Sequence, residues 1–126
     1  MTPGATYSYR VVAYNSIGNS IDSNTAAVTV TSPLMDTQAP IVTISNPINA
    51  SMVVTSAITV TATATDDVQL ATFMLYLDGN LIWYTKTSNI NYRLGTRSFT
   101  PGNHTIKAVA TDTSGNIAET SVTVIK

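Results

Sequence analysis

Of the seven acidic side chains in this 126-residue sequence, six are aspartates and one is Glu119. Asp36, Asp66, Asp67 and Asp112 stand where strand-like patterns end. Calcium takes 6–8 oxygen ligands, mostly carboxylate and carbonyl. In an antiparallel sandwich the loop after the second strand and the loop before the last strand share one pole, and the chain enters near it. These four aspartates are therefore candidates to hold a structural calcium ion that stiffens the junction ahead of residue 41. The competing reading is turn capping, in which each carboxylate accepts from backbone N–H groups of its own turn. A glycosidase would need two opposed carboxyls roughly 5–10 Å apart. A pair such as Asp66 and Asp112 sits at loop ends on a convex pole, where no cleft is expected to tune a pKa.

Aromatic residues give a second candidate. Tyr76, Trp83, Tyr84 and Tyr92 crowd around a central hairpin pattern. Exposed rings can stack on sugars, because they join an apolar face to a polar tip. Strand alternation turns Tyr76 outward, and only one of the neighbours Trp83 and Tyr84 can share its face. Tyr76, Trp83 and Tyr84 are thus candidate carbohydrate contacts forming a partial platform. The alternative is that Trp83 packs into the core or covers the sheet edge, the rings simply stabilising the sheet.

Other chemistries find little support. The single histidine, His104, lacks a nucleophile-elbow pattern, and its place two residues before Ile106 suits a strand-opening residue that bonds back to nearby backbone. Phosphate loops and metal-protease helices are absent. There are no cysteines, which removes thiolate metal sites, disulfides and thiol redox chemistry. The net charge is −1 and the six Lys and Arg are scattered, so no basic field for nucleic acid is expected. No run of about 18 apolar residues exists to insert into a membrane, and residues 2–10 do not have the pattern of an export signal.

The elements that position these residues are strands. Only 10% of residues are charged and 44% are hydrophobic, with many Thr, Val and Ile. β-Branched side chains suit a half-buried pleated surface. Ala57–Thr65 alternates cleanly, with Ile58, Val60, Ala62 and Ala64 on one face and Thr59, Thr61, Thr63 and Thr65 on the other. Further strands are expected over 41–45, 72–78, 81–85, 92–99, 105–111 and 120–125, with Asp78-Gly79 or Gly79-Asn80 as a tight hairpin turn. About seven strands and no helical period give an all-β fold, an immunoglobulin-like β-sandwich.

An internal repeat organises the chain. Thr2-Pro3-Gly4, the strand Tyr9-Arg10-Val11-Val12-Ala13 and the turn Gly18-Asn19 return as Thr100-Pro101-Gly102, Ile106-Lys107-Ala108-Val109-Ala110 and Gly115-Asn116. Tyr9 and Ile106 lie 97 residues apart, about one sandwich domain. The second copy is expected to close a complete domain over 41–126. The first, over 1–32, is expected to be the closing two-stranded hairpin of another domain, with 33–40 as linker and Met1 as the edge of a fragment rather than the start of a fold. A lone hairpin is marginal in water and has unpaired edges, so it should fray, pack on the complete domain or pair with a second copy as a homodimer.

On these residues the sequence resembles known families. The stretch Pro3-Gly4-Ala5-Thr6-Tyr7-Ser8-Tyr9-Arg10-Val11-Val12-Ala13-Tyr14 through Gly18-Asn19-Ser20 resembles the last two strands of a fibronectin type III domain. The segment from Asp36 resembles a bacterial immunoglobulin-like domain, through Asp36-Thr37-Gln38-Ala39-Pro40, Ala64-Thr65-Asp66-Asp67-Val68, Tyr76-Leu77-Asp78-Gly79 and Ala110-Thr111-Asp112-Thr113-Ser114-Gly115-Asn116. The resemblance implies a non-catalytic spacer, accessory or adhesion module of a secreted or cell-surface protein, partnered by neighbouring domains and set beside polysaccharide-degrading catalytic domains. A carbohydrate-binding module is the alternative.

Overall fold

The computed structural model describes residues 1–31 and 35–126. It divides into two compact units, Met1–Met35 and Asp36–Lys126. Residues 33 and 34 of the expected linker lie outside the described residues.

Unit 1 is a ribbon of short strands. β1 (Thr6–Tyr9) pairs antiparallel with β4 (Ala26–Thr29), and at the tip β2 (Tyr14–Asn15) pairs with β3 (Gly18–Asn19). Between the pairs the ladder is broken. There Ser23 and Ser20 hydroxyls accept from the N–H groups of Val11 and Ala13, taking the place of strand carbonyls. Most of its apolar side chains are exposed, including Tyr9, Val11, Tyr14, Ile17 and Ile21.

Unit 2 is the sandwich. Its strands are β5 (Ile41–Asn46), β6 (Ser51–Met52), β7 (Ala57–Thr65), β8 (Leu70–Leu77), β9 (Asn80–Thr85), β10 (Asn89–Gly95), β11 (Asn103–Asp112) and β12 (Ile117–Ile125). One sheet has the order β10-β7-β5 and the other β6-β12-β11-β8-β9. All neighbours are antiparallel except β6 and β12. The inward face of β7, read from its alternation, carries Val60, Ala62 and Ala64 at 0% exposure. They meet Phe73 and Leu75 of β8 and Ile106, Ala108 and Ala110 of β11 in one core. Alanines at the centre of both sheets let them approach, while Phe73, Leu75 and Ile90 fill the remaining volume. The β8–β9 connection is a two-residue turn with Asp78 at φ 48 and Gly79 at φ 82. Positive φ at both positions is the type I′ geometry whose twist matches a right-twisted ribbon.

The repeat is visible in the backbone. Ile106 pairs with Val122, and its repeat counterpart Tyr9 pairs with Ala26. At the open end Gly102 exchanges hydrogen bonds with Lys126, and Gly4 donates to Val30. Both glycines have positive φ, 82° at Gly4 and 127° at Gly102.

Candidate functional site

The acidic pole of unit 2 is built by three chain segments. Residues 36–40, ahead of β5, dock there: the Asp36 carbonyl accepts from Asn116 Nδ2 at 3.1 Å, and Pro40 is buried. The loop after β7 and the β11–β12 turn meet beside it, joined by Thr113 N–H to the Gln69 carbonyl at 3.0 Å. This is the convergence expected from the strand order.

The four candidate aspartates do not behave alike. Asp36, Asp66 and Asp67 each offer a carboxylate oxygen, and these atoms all lie within 4.8 Å of one another. Asp36 Oδ1 accepts from Gln38 N–H, and Asp66 Oδ2 from the N–H groups of Val68 and Gln69. Their other oxygens, Asp36 Oδ2 and Asp66 Oδ1, are buried without a hydrogen-bond partner. Leaving such an acceptor unsatisfied costs about 1–3 kcal/mol. Asp112 stands apart from this set. It is 2% exposed and fully engaged in its own turn: Oδ1 accepts from Ser114 and Asn116 N–H, and Oδ2 from Asn116 Nδ2 at 2.7 Å. Burial by itself would raise its pKa, but the bonds from Asn116, Ser114 and Gly115 outweigh that and hold it below the usual carboxylate value. Of the two readings, capping describes Asp112.

Asp36, Asp66 and Asp67 fit a hard divalent cation. Two oxygens on one calcium, each at 2.3–2.6 Å, can be no more than about 5 Å apart, and the cluster meets that bound. The two orphaned oxygens would then gain the ligand they lack. Lys86 lines the same depression as Asp66, about 360 Å³ in volume, and makes no ion pair among the described residues.

The aromatic residues separate onto two faces. Tyr84 pairs with Met74, which puts it on the outer face of the five-stranded sheet with Tyr76, where Lys107 Nζ lies 5.8 Å from the Tyr76 ring centre. Leu81 pairs with Tyr76 on that face. Trp83 pairs with the core residue Leu75 and so faces the other way. It is 46% exposed and its ring sits 5.4 Å from that of Tyr92 on β10, tilted by 41°. β9 and β10 are edge strands of different sheets, so this pair covers the seam between the layers. Trp83 is a sheet-edge cover, as the second reading had it, and only Tyr76 and Tyr84 share a face.

His104 was legible as a strand-opening residue, and the structure adds what it holds. It is 8% exposed. Nε2 lies 2.9 Å from the Thr100 carbonyl and Nδ1 2.7 Å from Asp78 Oδ2. Both partners are acceptors, so the two contacts are satisfied together only in the imidazolium form, in which both ring nitrogens donate. Asp78 Oδ1 also accepts from Thr105 N–H at 2.8 Å. The bond to Asp78, then that to Thr100, raises the His104 pKa against the opposing effect of burial, and the bond to His104 lowers that of Asp78. The role of Asp78 could not be read from sequence beyond its turn, because its partner lies 26 residues away. Tyr7 in unit 1 makes the matching contact, its hydroxyl accepting from Thr2 N–H at 2.7 Å.

Two sheets, antiparallel but for the β6–β12 pair, around one core define an immunoglobulin-like β-sandwich. The sequence matches the family described as Bacterial Ig domain over residues 40–108, and the chain belongs to that family. Among solved structures it is similar to the fibronectin(III)-like modules of Clostridium thermocellum CbhA, with 26% identity and a TM-score of 0.55, covering 68% of this chain and 94% of that one. It is also similar in fold to the endo-beta-1,4-mannanase from Thermotoga petrophila, with 11% identity and a TM-score of 0.57. That match covers 71% of this chain and 20% of the enzyme, so this chain spans about a fifth of the mannanase's length. No curated protein matches the sequence.

Proposed function

We propose that the chain is a non-catalytic spacer and accessory module of a secreted or cell-surface bacterial protein that degrades polysaccharide. The observation that carries this reading is where the chain enters and leaves unit 2. Asp36 is bound to the β11–β12 turn, while Lys126 is paired with Gly102 at the opposite end of the same hairpin. β11 has 10 residues. At about 3.3 Å per residue this sets the two ends roughly 30 Å apart. A sandwich strung end to end in this way holds its neighbours at a fixed separation. Similarity to fibronectin(III)-like modules of a clostridial protein supports the setting. In this reading residues 1–32 are the closing hairpin of a preceding fibronectin type III-like domain, residues 33–40 join it to the sandwich, and neighbouring domains are the partners. Asp36, Asp66 and Asp67 would hold a calcium ion, which ties the segment ahead of β5 to the loop after β7.

A second reading, a carbohydrate-binding module, is favoured by Tyr76 and Tyr84 on one outer face, with Tyr84 48% exposed. Electrophoresis through gels containing soluble neutral glucomannan or a cellulose ether separates the two. The spacer reading expects unretarded migration. Retardation that Tyr84→Ala removes and Trp83→Ala leaves in place would replace it with the binding-module reading.

A further inference from the structure

The pole at which the chain leaves unit 2 carries a concavity unrelated to the aspartates. β10 ends at Gly95, and the turn that follows is pinned at Thr96. This residue is fully buried, its N–H donates to the Ser56 carbonyl at 3.0 Å and its hydroxyl to the Thr55 carbonyl at 2.5 Å. Ser56, Arg93, Gly95, Arg97 and Ser98 line a depression of about 380 Å³. Nothing lies within 4 Å of the point where a Cβ on Gly95 would stand, so the space at this lining residue is open.

The lining carries two guanidinium groups and two hydroxyls. No carboxylate contributes to it. Arg10 and Lys107 are paired with Asp22 and Glu119. Among the described residues neither Arg93 nor Arg97 has an ion pair, and the Ser56 and Ser98 hydroxyls have no hydrogen-bond partner. Two guanidinium groups and two hydroxyls lining one depression supply the donor chemistry an oxyanion takes, since a guanidinium fork offers it two N–H groups at a time.

The surroundings bear on what carries that oxyanion. Arg93 is opposite Thr59, and Asn91 opposite Thr61, on the outer face of the three-stranded sheet. By alternation Thr63 and Asn89 continue that face. Arg93, which lines the depression, therefore belongs to a track of hydroxyls and amides with no aromatic ring among these residues. Such a track hydrogen-bonds to sugar hydroxyls but gives a neutral glycan no platform to stack on.

We infer that this depression binds an oxyanion carried on an acidic polysaccharide, as a carboxylate or a sulfate. The site stands on its own geometry; the polysaccharide carrier rests on the accessory-module reading. The charge is read by Arg93 and Arg97, and the sugar chain runs along the Thr61 and Asn91 face.

Nuclear magnetic resonance titration of the full chain tests this, using potassium sulfate, an oligogalacturonate, a sulfated oligosaccharide and a neutral mannan oligosaccharide. Sulfate is expected to shift the amides of Gly95, Arg97 and Ser98. At least one acidic oligosaccharide should shift these and also Thr61 and Asn91, and which one does identifies the carboxylate or the sulfate as the natural group. The neutral sugar should shift neither set. Arg93→Ala and Arg97→Ala should each weaken binding by roughly 10–100-fold, the loss of one charge-assisted contact, and Arg97→Lys should recover part of it. Sulfate shifts without a response to either acidic oligosaccharide would mean an adventitious ion only and overturn the carrier. Absence of all shifts, or titrations that Arg93→Ala and Arg97→Ala leave unchanged, would overturn the site. Retardation in the neutral-glucan gels bears on the spacer reading alone, so the two can fail separately.

Discussion

Raising the pH from about 5.5 through the folded pKa of His104 should loosen unit 2 at its ring. The folded pKa of this imidazole is raised above its usual 6.5. Its contribution to stability is therefore fully present below 6.5 and is lost as the pH climbs through the folded value. The Asp78 carboxyl is lowered from 3.8, so its contribution is present above that and lost as the pH falls through its folded value. The clamp is complete between these two limits. Hydrogen bonds to charged groups contribute about 1.5–3 kcal/mol. The Asp78 side chain is 44% exposed, which argues for a discounted figure of about 1–2 kcal/mol. In a domain of this size that corresponds to a fall in melting temperature of roughly 5–10 °C. The assay is thermal unfolding followed by near-ultraviolet circular dichroism across the range, on the native chain and on His104→Gln, which can donate only one of the two bonds. The variant should be less stable at low pH and should lose the alkaline slope. The difference between the two proteins isolates the contribution of this ring. Because His104 is the only histidine, its ring protonation can also be followed by magnetic resonance without assignment ambiguity. A neutral ring at pH 6.5, or parallel alkaline slopes for both proteins, would refute the argument.

Calcium should raise the melting temperature of the native chain and a chelator should reverse the rise, while Asp66→Asn abolishes the response and Asp112→Asn lowers stability without abolishing it; calorimetry with and without the metal reads all three. Phe73→Ala removes the largest fully buried side chain and should cost about 3–5 kcal/mol in urea unfolding, as large-to-small core changes do. Trp83→Ala, which uncovers the seam but leaves the core intact, should cost less than half of that in the same assay. Deleting residues 1–32 should convert a dimer into a monomer in light scattering if the exposed hairpin pairs with a second copy, and an unaltered mass per particle would rule that pairing out.

The parts of the fold readable in the sequence are those set by local rules. The alternation of Ala57–Thr65 placed Val60, Ala62 and Ala64 in the core because a strand has period two. Asp78-Gly79 was readable as a turn because both residues tolerate positive φ. The candidate site was less legible. Asp36, Asp66 and Asp67 were placed together from strand order alone, but nothing local distinguishes them from Asp112, whose Ser114-Gly115-Asn116 neighbours fold back to satisfy it. The bulge at Leu75/Tyr76 that sets the faces of Trp83 and Tyr84 leaves no mark in composition. The arginine pocket depends on Thr55 and Ser56 meeting Thr96 across 40 residues of chain.

The two copies of the repeat show how one position can serve the same structural end with different chemistry. After Thr-Pro-Gly, each copy places a ring residue that ties the strand back to the threonine: Tyr7 to Thr2 and His104 to Thr100. The Tyr7 oxygen accepts in its contact, which lowers its pKa from the usual phenol value, and an acceptor keeps that bond whether or not it carries its proton, so the tie in unit 1 is insensitive to pH. An imidazole that donates to a carbonyl has a second nitrogen to satisfy, and in unit 2 the adjacent β8–β9 turn supplies Asp78. The substitution extends a local corner into a link between β11 and the neighbouring hairpin, reinforced by Phe99 stacked 4.3 Å from the imidazole. His104→Tyr separates these effects. It should keep the tie to the Thr100 segment, release Asp78 and abolish the alkaline loss of stability, whereas a ring that only fills space would leave the pH profile of the native chain unchanged.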